Sequence, residues 1–324
     1  MENKYKLCVI GAGRWGLNHI RSLNELNALG GVVEKNSTVL KKIKLRYPDC
    51  LTFSDLDSSF EENFDGYIIS TPPVSHYQIA KRIISMNKHV LIEKPITLNV
   101  EDAIKLNEMA KIKNVNLMVG HLLLFHPAFK KIKELINNGL IGKIQYIYSN
   151  RLNLGSFRND ENVLWSFAPH DIALFNSFFN DLPLEVISSG IDILQEGIHD
   201  TSITTFKYSN NMMGHIFVSW LHPFKEHRFV IVGSKGMIHF EDAGEKKPLL
   251  FYDKTVDLKG EMPRSKLGST SEIKYGNELP LIVELKYFIS KIKKGKVEIA
   301  NGDSAVEVMR VLDQATKNLT SKQQ

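Results

Sequence analysis

Short apolar runs alternate with amphipathic segments through the first 120 residues of the chain. Runs such as Tyr5–Gly11, Gly66–Thr71 and His89–Glu93 are nearly continuous in apolar residues, which is typical of parallel strands buried on both faces of a sheet. The segments between them have helical spacing, and Asn99 is a predicted N-cap for a helix over Val100–Lys113. This alternation predicts an α/β fold with a doubly wound parallel sheet and right-handed crossovers.

After Gly120 the pattern changes to longer segments in which apolar and polar residues alternate. Thr201–Tyr208 and Met213–Trp220 flank one set of turn residues, and Phe229–Gly233 and Met237–Phe240 flank another. Alternating segments joined by turn residues are typical of antiparallel hairpins. We therefore expect a second domain with a mostly antiparallel sheet that carries helices on one face.

The change of pattern at Gly120–His121 is the predicted domain boundary. It assigns residues 1–120 to the parallel-sheet domain and residues 121–324 to the second domain. Residues 244–276 are rich in Lys, Gly, Pro and Ser, so we expect an irregular excursion there.

Composition narrows the class of protein. The chain has 324 residues, of which 43% are hydrophobic and 24% are charged, the balance of a globular protein of about two domains. Its net charge of +5 comes without a long basic block, so no nucleic-acid partner is expected. Cys8 and Cys50 form neither a disulfide framework nor a metal-binding pattern, which fits a reducing cytoplasm and predicts no metal. No segment approaches the ~18 uninterrupted apolar residues of a membrane span.

The first predicted strand runs directly into a glycine-rich turn that opens a helix. The turn consists of Gly11, Ala12, Gly13, Arg14, Trp15 and Gly16. In this pattern the first glycine permits a tight turn, the second lets the backbone approach a pyrophosphate, and the third allows close packing of helix and strand. Glu34 ends the second strand, where an acid binds the ribose hydroxyls of NAD and repels the extra phosphate of NADP. NAD is the predicted cofactor, and Lys35 next to Glu34 keeps NADP open as the alternative.

An EKP segment at residues 93–95 puts a lysine at the carboxyl end of a buried strand, the edge at which open α/β sheets bind ligands. The proline restricts Lys94 to extended geometry, and a lysine beside a nicotinamide stabilises charge that develops on a sugar oxygen. The TPP turn at residues 71–73 and His76 follow another strand. Taken alone, that turn favours a proline-fixed loop with a surface histidine.

These motifs together resemble the glucose–fructose oxidoreductase, inositol dehydrogenase and rhizopine catabolism family. The matching segments cover nearly the whole chain and are GAGRWG, STPPVSH, EKP, VGH…HPAF, VGSKGMIHFED, NELPLIVELKYFISKIKKG and NGDSAVEVMRVL. The resemblance implies a Rossmann domain followed by an α/β domain with a large open, mostly antiparallel sheet. Such a sheet often buries itself against another subunit, so a homo-oligomer, a dimer or tetramer, is expected, with residues 121–324 binding substrate and partner.

The resemblance also implies roles for individual residues. It puts Lys94 in the catalytic centre as well as in the cofactor site. The residues implied around the nicotinamide half of the cofactor are Thr71, Pro72, His76 and Glu93, and Lys94 and His121 are also expected to bind the cofactor.

A second catalytic group is implied where the family has a D-x-G-x-H motif. This chain reads SFAPH at residues 166–170, so that His170 matches the family histidine while Ser166 replaces the aspartate and Ala168 the glycine. A histidine with an ordinary pKa of ~6.5 is suited to accept an alcohol proton near neutral pH. The alternative is that Lys94 alone acts as the base and His170 binds a sugar hydroxyl.

The stretch from SNRLNLG to WSFAPHDI is similar to a subgroup of UDP-N-acetylglucosamine 3-dehydrogenases. These enzymes oxidise the sugar 3-hydroxyl before an amine is installed, so the expected substrate is UDP-N-acetylglucosamine or its uronic acid in cell-surface polysaccharide biosynthesis. The residues expected to bind this substrate are Lys94, Arg151, Asn153, Arg158, Trp165 and His170. The two arginines suit a diphosphate, Asn153 a hydroxyl or acetamido group, and Trp165 a sugar face or base.

Two other functions stay open at this point. The first is a dehydrogenase of a free sugar or inositol, within the same family. The second is an NAD(H)-binding regulator without chemistry, which the serine at position 166 keeps open because the family aspartate is missing there.

Overall fold

The computed structural model describes residues 5–155, 157–159, 161–257 and 262–320. Compact packing divides the chain into two units. Unit 1 comprises Met1–Phe125 and Glu278–Met309, and unit 2 comprises His126–Asn277 and Arg310–Gln324. Packing thus groups a late stretch of the chain with the first unit, which chain order alone did not predict.

Unit 1 contains a six-stranded parallel sheet. Its strands are β1 (Leu7–Ile10), β2 (Leu29–Val33), β3 (Leu51–Phe53), β4 (Gly66–Ile69), β5 (His89–Ile92) and β6 (Leu117–Val119). Their order is β3-β2-β1-β4-β5-β6, so the winding reverses between β1 and β4. This is the doubly wound dinucleotide-binding arrangement, which confirms the predicted fold class. The short β3 was not predicted, because its three residues carry no clear periodicity.

The helices lie close to the amphipathic segments that were predicted to be helical. They are α1 (Gly16–Glu25), α2 (Ser37–Arg46), α3 (Leu56–Ser59), α4 (His76–Ser85), α5 (Val100–Ile112), α6 (Pro127–Asn137), α7 (Val163–Phe179), α8 (Pro280–Lys293) and α9 (Gly302–Thr320). The predicted cap of α5 is confirmed, since the side-chain oxygen of Asn99 accepts a hydrogen bond from the Asp102 N–H at 2.8 Å. Among the described residues, no helix combines the length and the apolar character that crossing a membrane requires.

Unit 2 is built on an eight-stranded open sheet in the order β16-β13-β12-β11-β7-β10-β9-β8. The strands of the unit are β7 (Ile144–Leu154), β8 (Glu185–Ile191), β9 (Thr201–Lys207), β10 (Met213–Ser219), β11 (Leu221–Gly233), β12 (Met237–Glu241), β13 (Leu249–Tyr252), β14 (Thr255–Asp257), β15 (Arg264–Lys266) and β16 (Thr270–Glu272). Neighbouring strands are antiparallel except for β7 and β10. Both predicted hairpins, β9–β10 and β11–β12, are confirmed.

The expectation of an irregular excursion over residues 244–276 is wrong for four segments that form strands, while residues 258–261 of that range lie outside the described residues. β13 pairs with β12 and β16 extends the sheet by one more strand, while β14 and β15 form a separate two-stranded ribbon. Every residue of β15 and β16 is exposed, so neither strand has the buried positions that produce an apolar alternation. Backbone pairing, rather than side-chain burial, defines these strands.

The two faces of the large sheet differ in their cover within unit 2. On one face Phe175 of α7 makes edge-to-face contacts with Phe206 and Phe229, each with ring centroids 5.8 Å apart. On the other face Ile191 and Ile203 remain about half exposed. The large sheet therefore presents exposed apolar residues on the side away from α7.

Candidate active site

The glycine turn between β1 and α1 is shaped by close backbone contacts. Gly11 has a φ of +89°, and a Cβ added to Gly16 would lie 2.0 Å from the Gly11 carbonyl oxygen. A Cβ added to Gly13 meets no atom within 4 Å. Gly11 and Gly16 are thus required by the turn itself, whereas Gly13 borders open space where a backbone can approach a ligand.

The amino end of α1 faces the same turn without a side-chain cap. The helix begins at Gly16, and Trp15 at the N-cap position makes no capping hydrogen bond with its side chain. Ala12 is buried, while Arg14 beside the helix end is exposed. The positive end of the helix dipole makes this position suitable for a pyrophosphate.

Glu34 at the end of β2 is held in place through both carboxylate oxygens. Its Oε2 accepts a hydrogen bond from the Ala12 N–H at 2.8 Å, and its Oε1 accepts one from the Asn36 N–H at 2.9 Å. Each carboxylate oxygen keeps a second lone pair. The turn, the helix end and this carboxylate together fit the adenosine half of NAD.

Glu93, at the end of β5, receives three hydrogen bonds. Its Oε1 accepts from His19 Nε2 at 2.6 Å and from the indole N–H of Trp15, and its Oε2 accepts from the Lys94 N–H at 3.3 Å. A Cβ on Gly120 would lie 2.9 Å from Glu93 Oε2, so Gly120 leaves the room that this carboxylate occupies. The structure thus brings together Trp15 and Glu93, two predicted cofactor residues.

His76 joins the two proline-containing turns at the sheet edge. Its Nε2 lies 2.8 Å from the Thr71 carbonyl oxygen and its Nδ1 lies 2.8 Å from the Pro95 carbonyl oxygen, and the Lys94–Pro95 peptide is cis. His76 is only 1% exposed, so the interpretation as a surface histidine is wrong. Burial lowers the pKa of His76, and the two carbonyl contacts oppose that shift. This histidine connects the turn of Thr71 and the exposed Pro72 to the turn of Lys94.

His121 follows β6 and is buried beside charged neighbours. Burial lowers its pKa to about 4, while Glu93 acts to raise the pKa and Lys94 to lower it further. Lys94 itself is half-buried. At neutral pH His121 is therefore an uncharged imidazole within electrostatic reach of both residues.

Two buried polar residues of unit 1 were missed by sequence reasoning. His19 on α1 is the partner of Glu93 and is fully buried, and Glu284 on α8 is 1% exposed. Burial raises the pKa of Glu284 well above the usual range, and the charge of Glu93 adds to that shift. A sequence signal was present, because Glu284 lies on the buried stripe of α8 with Leu281 and Leu285.

In unit 2, the guanidinium of Arg151 is paired with the buried Asp171. Arg151 donates to this carboxylate through Nε and through Nη2, the latter at 3.1 Å, and Ser149 Oγ donates to it at 2.6 Å. Asp171 follows His170 on α7 but faces β7, while His170 is half-buried and Ser166 is buried. Arg151 is thus committed to a structural ion pair, and its contact with a diphosphate stays a prediction.

The other predicted substrate residues occupy different surroundings in unit 2. Asn153 folds over Gly155, where an added Cβ would lie 2.7 Å from its Oδ1. Arg158 is exposed, with its Nε 3.7 Å from Glu161 Oε1, and Trp165 donates its indole N–H to Thr316 Oγ1 at 2.8 Å. Within the part of the chain that the structure describes, no group of three or more His, Cys, Asp or Glu side chains could hold a metal ion.

Two family models match this sequence. One, described as an oxidoreductase family with an NAD-binding Rossmann fold, matches residues 5–121, and the GFO/IDH/MocA C-terminal domain matches residues 129–239. Myo-inositol 2-dehydrogenase of Thermotoga maritima is 24% identical over 98% of this chain and 97% of its own length. UDP-N-acetylglucosamine 3-dehydrogenase of Acidithiobacillus ferrooxidans is 28% identical over 56% of this chain and 57% of its own length.

Solved structures share the fold over nearly the full length. The UDP-N-acetylglucosamine 3-dehydrogenase of Acidithiobacillus ferrooxidans has a TM-score of 0.87 at 22% identity, covering 98% of this chain and 99% of the other. GenD2 from gentamicin A biosynthesis, solved in complex with NAD, has a TM-score of 0.82 at 18% identity, covering 98% and 95%.

Proposed function

Because the chain belongs to the GFO/IDH/MocA oxidoreductase family, with its NAD-binding Rossmann domain, we propose that it oxidises a sugar hydroxyl. The proposed substrate is a UDP-linked N-acetylamino sugar, UDP-N-acetylglucosamine or its uronic acid, with C3 as the reacting carbon. The product would be the 3-keto sugar nucleotide that an amine-installing step of polysaccharide biosynthesis requires.

Lys94 carries this proposal. It follows β5 at the same carboxyl edge of the sheet as the glycine turn and Glu34, and it is half-buried next to Glu93. An ammonium group at this edge stabilises negative charge on a reacting sugar oxygen. Glu34 binds the ribose hydroxyls, and its fixed carboxylate favours NAD over NADP.

Each catalytic residue then has a defined task. When bound, NAD supplies the hydride acceptor for the oxidation. Lys94 holds the hydroxyl oxygen, and the imidazole of His170 takes the hydroxyl proton. In the alternative assignment, Lys94 acts as the base and His170 binds a sugar hydroxyl.

The substrate assignment is supported by two likenesses. The stretch from SNRLNLG to WSFAPHDI is similar to the UDP-N-acetylglucosamine 3-dehydrogenase subgroup, and a solved enzyme of that name shares the fold. Oxidation of a free inositol is the second candidate, because the myo-inositol 2-dehydrogenase is similar over nearly the whole chain. A cytoplasmic site for the reaction stays a prediction from the two isolated cysteines.

The test is the absorbance of NADH after the purified protein is mixed with NAD and one sugar. UDP-N-acetylglucosamine, UDP-N-acetylglucosaminuronic acid and myo-inositol are run in parallel, with NADP replacing NAD in a second set. We expect a rise with a UDP-sugar and NAD. A rise with inositol alone would support the second candidate, and no rise despite measured NAD binding would favour a regulator.

We also propose that the chain forms a homo-oligomer through the open face of the large sheet. Ile187, Ile191 and Ile203 lie on one face, because Ile187 pairs with Thr205, Ile191 with Thr201 and Ser189 with Ile203 in the β8–β9 register. All three isoleucines are at least 37% exposed. A contiguous apolar patch on a sheet is typical of a subunit interface.

A further inference from the structure

Unit 1 contains a buried carboxyl group to which the proposed reaction gives no role. Glu284 on α8 is 1% exposed, and neither of its carboxylate oxygens has a hydrogen-bond partner among the described residues. A buried carboxylate without a donor is strongly disfavoured, whereas a protonated carboxyl is tolerated. Glu284 is therefore an unusual residue to find on the inner stripe of a helix.

Glu93, whose charge acts on Glu284, has hydrogen-bond donors where Glu284 has none among the described residues. Glu93 accepts three hydrogen bonds, from His19, Trp15 and the Lys94 N–H. An ionised carboxylate only accepts hydrogen bonds, so this set of donors matches a charged Glu93. Each of two interacting carboxylates disfavours ionisation of the other, so the favoured state has one group charged and the other protonated.

The hydrogen-bond donors indicate which of the two carboxyl groups keeps the proton. Glu93 accepts from all three of these donors and Glu284 from none among the described residues, which favours the charge on Glu93 and the proton on Glu284. Electrostatic coupling between the two carboxyls agrees with this division, since the charge of Glu93 raises the pKa of Glu284. The other titratable groups around Glu93 are His19 on α1, His76 on α4, Lys94 after β5 and His121 after β6.

We propose that Glu284 is a positioning residue that holds a proton in the folded chain. The protonated Glu284 leaves Glu93 as the only negative charge of the two carboxyl groups. The affinity of Glu284 for its proton then depends on the charge of the nicotinamide. The inference rests on the proposed NAD-dependent function, because it takes Glu93 to lie at the nicotinamide end of the cofactor site. The nicotinamide ring is cationic in NAD⁺ and neutral in NADH. A cation near Glu93 offsets the negative charge that opposes ionisation of Glu284, so NAD⁺ favours release of the Glu284 proton and NADH does not.

The first test asks whether Glu284 holds a proton in the folded chain. The unfolding equilibrium is measured against pH for the wild type and for Glu284→Gln, which imitates the protonated form. The folded wild type keeps a proton that the unfolded chain loses above the ordinary pKa of glutamate, ~4.3, so wild-type stability falls relative to the variant as pH rises. We expect the ratio of the two unfolding constants to change by up to about tenfold per pH unit until Glu284 ionises.

A matched control is Glu108→Gln on α5, which makes the same substitution at an exposed position. Its stability difference from the wild type should stay nearly constant with pH. Parallel pH profiles of Glu284→Gln and the wild type would overturn the proposal. If Glu284→Gln does not fold, Glu284→Met replaces it, because an apolar chain of similar length needs no hydrogen-bond partner. Failure of both variants to fold would also overturn the proposal.

The second test asks whether that proton responds to the cofactor. Proton release on binding NAD⁺ and NADH is measured by calorimetry in buffers of different ionisation enthalpy, without any sugar. We expect the wild type to release more protons with NAD⁺ than with NADH, and Glu284→Gln to release nearly the same number of protons with both nucleotides. A difference that survives unchanged in Glu284→Gln would overturn the coupling.

These readouts separate this inference from the proposed function. Neither test uses a sugar, so a chain that oxidises no sugar nucleotide can still show the proton on Glu284 and its response to NAD⁺. A chain that binds neither nucleotide would contradict the NAD-dependent function and the coupling together, while the stability test would still decide whether Glu284 holds the proton.

Discussion

Glu93 and Glu284 are two glutamates of unit 1 with very different surroundings. Its carboxylate collects donors from His19, Trp15 and Lys94, while Glu284 collects none among the described residues. Hydrogen-bond donors favour the charged form of an acid, and burial disfavours it. The two residues thus differ in their neighbours and not in their chemical identity.

Lys94 is the residue on which the proposed chemistry depends most directly. Lys94→Ala should lower kcat by about 10²–10³-fold, the usual effect of removing one group that stabilises an oxyanion in a transition state. The Kd for NAD should change by only a few fold, because the glycine turn and Glu34 remain. Steady-state NADH production and a separate NAD titration measure the two quantities.

The control for this change is Lys42→Ala, which removes an exposed lysine from α2. It should match the wild type in both measurements. Turnover of Lys94→Ala within a few fold of the wild type would remove Lys94 from the mechanism.

Among the structural elements, the β1–α1 turn needs glycine for two different reasons, close packing at one position and space for a ligand at another. Gly16 is needed because helix and turn touch, with 2.0 Å between an added Cβ and the Gly11 carbonyl oxygen. Gly13 faces open space, where the requirement comes from a ligand. Fold and function therefore ask for glycine at neighbouring positions for different reasons.

Gly13→Ala and Gly16→Ala form a matched pair that tests this division. Gly13→Ala should melt at the wild-type temperature but bind NAD at least tenfold more weakly, because the methyl group occupies the approach of the pyrophosphate. Gly16→Ala should lose at least about 1–3 kcal/mol of folding stability, the usual effect of overpacking. Thermal melts and NAD titrations distinguish the two, and a large stability loss in Gly13→Ala would contradict the division.

On the molecular surface, the open sheet of unit 2 has a face with large exposed apolar side chains. Its α7-facing side buries Phe206 and Ile216, whereas Ile191 and Ile203 on the other side are 54% and 49% exposed. Stable interfaces bury roughly 1,200–2,000 Å² in total, an area that a face of several strands can supply. The proposed oligomer depends on this side of the sheet.

Ile203→Lys should weaken the proposed oligomer, because a lysine at the centre of an apolar interface brings an unpaired charge into it. Light scattering coupled to size-exclusion chromatography should show a shift to smaller species at micromolar concentration. Leu45→Lys on α2 is the control, since Leu45 is 83% exposed and lies in unit 1. A monomeric wild type, or no shift in Ile203→Lys, would refute this interface.

Features that depend on local geometry can be predicted from the order of the residues alone. The parallel sheet, the hairpins β9–β10 and β11–β12, and the cap at Asn99 follow from periodicity and turn chemistry within a few residues. β15 and β16 escaped prediction because every residue of both strands is exposed, so that they show no apolar alternation.

Contacts between polar groups from distant parts of the chain become visible only in the folded protein. Trp15 and His19 join Glu93 across the sheet edge, the pairing of Arg151 with Asp171 commits a predicted phosphate ligand to an ion pair, and packing of residues 278–309 with unit 1 brings Glu284 into the same unit as Glu93. The physical reason is range. Backbone periodicity is set by neighbouring residues, whereas the burial and pairing of a charge depend on chain segments that only folding brings into contact.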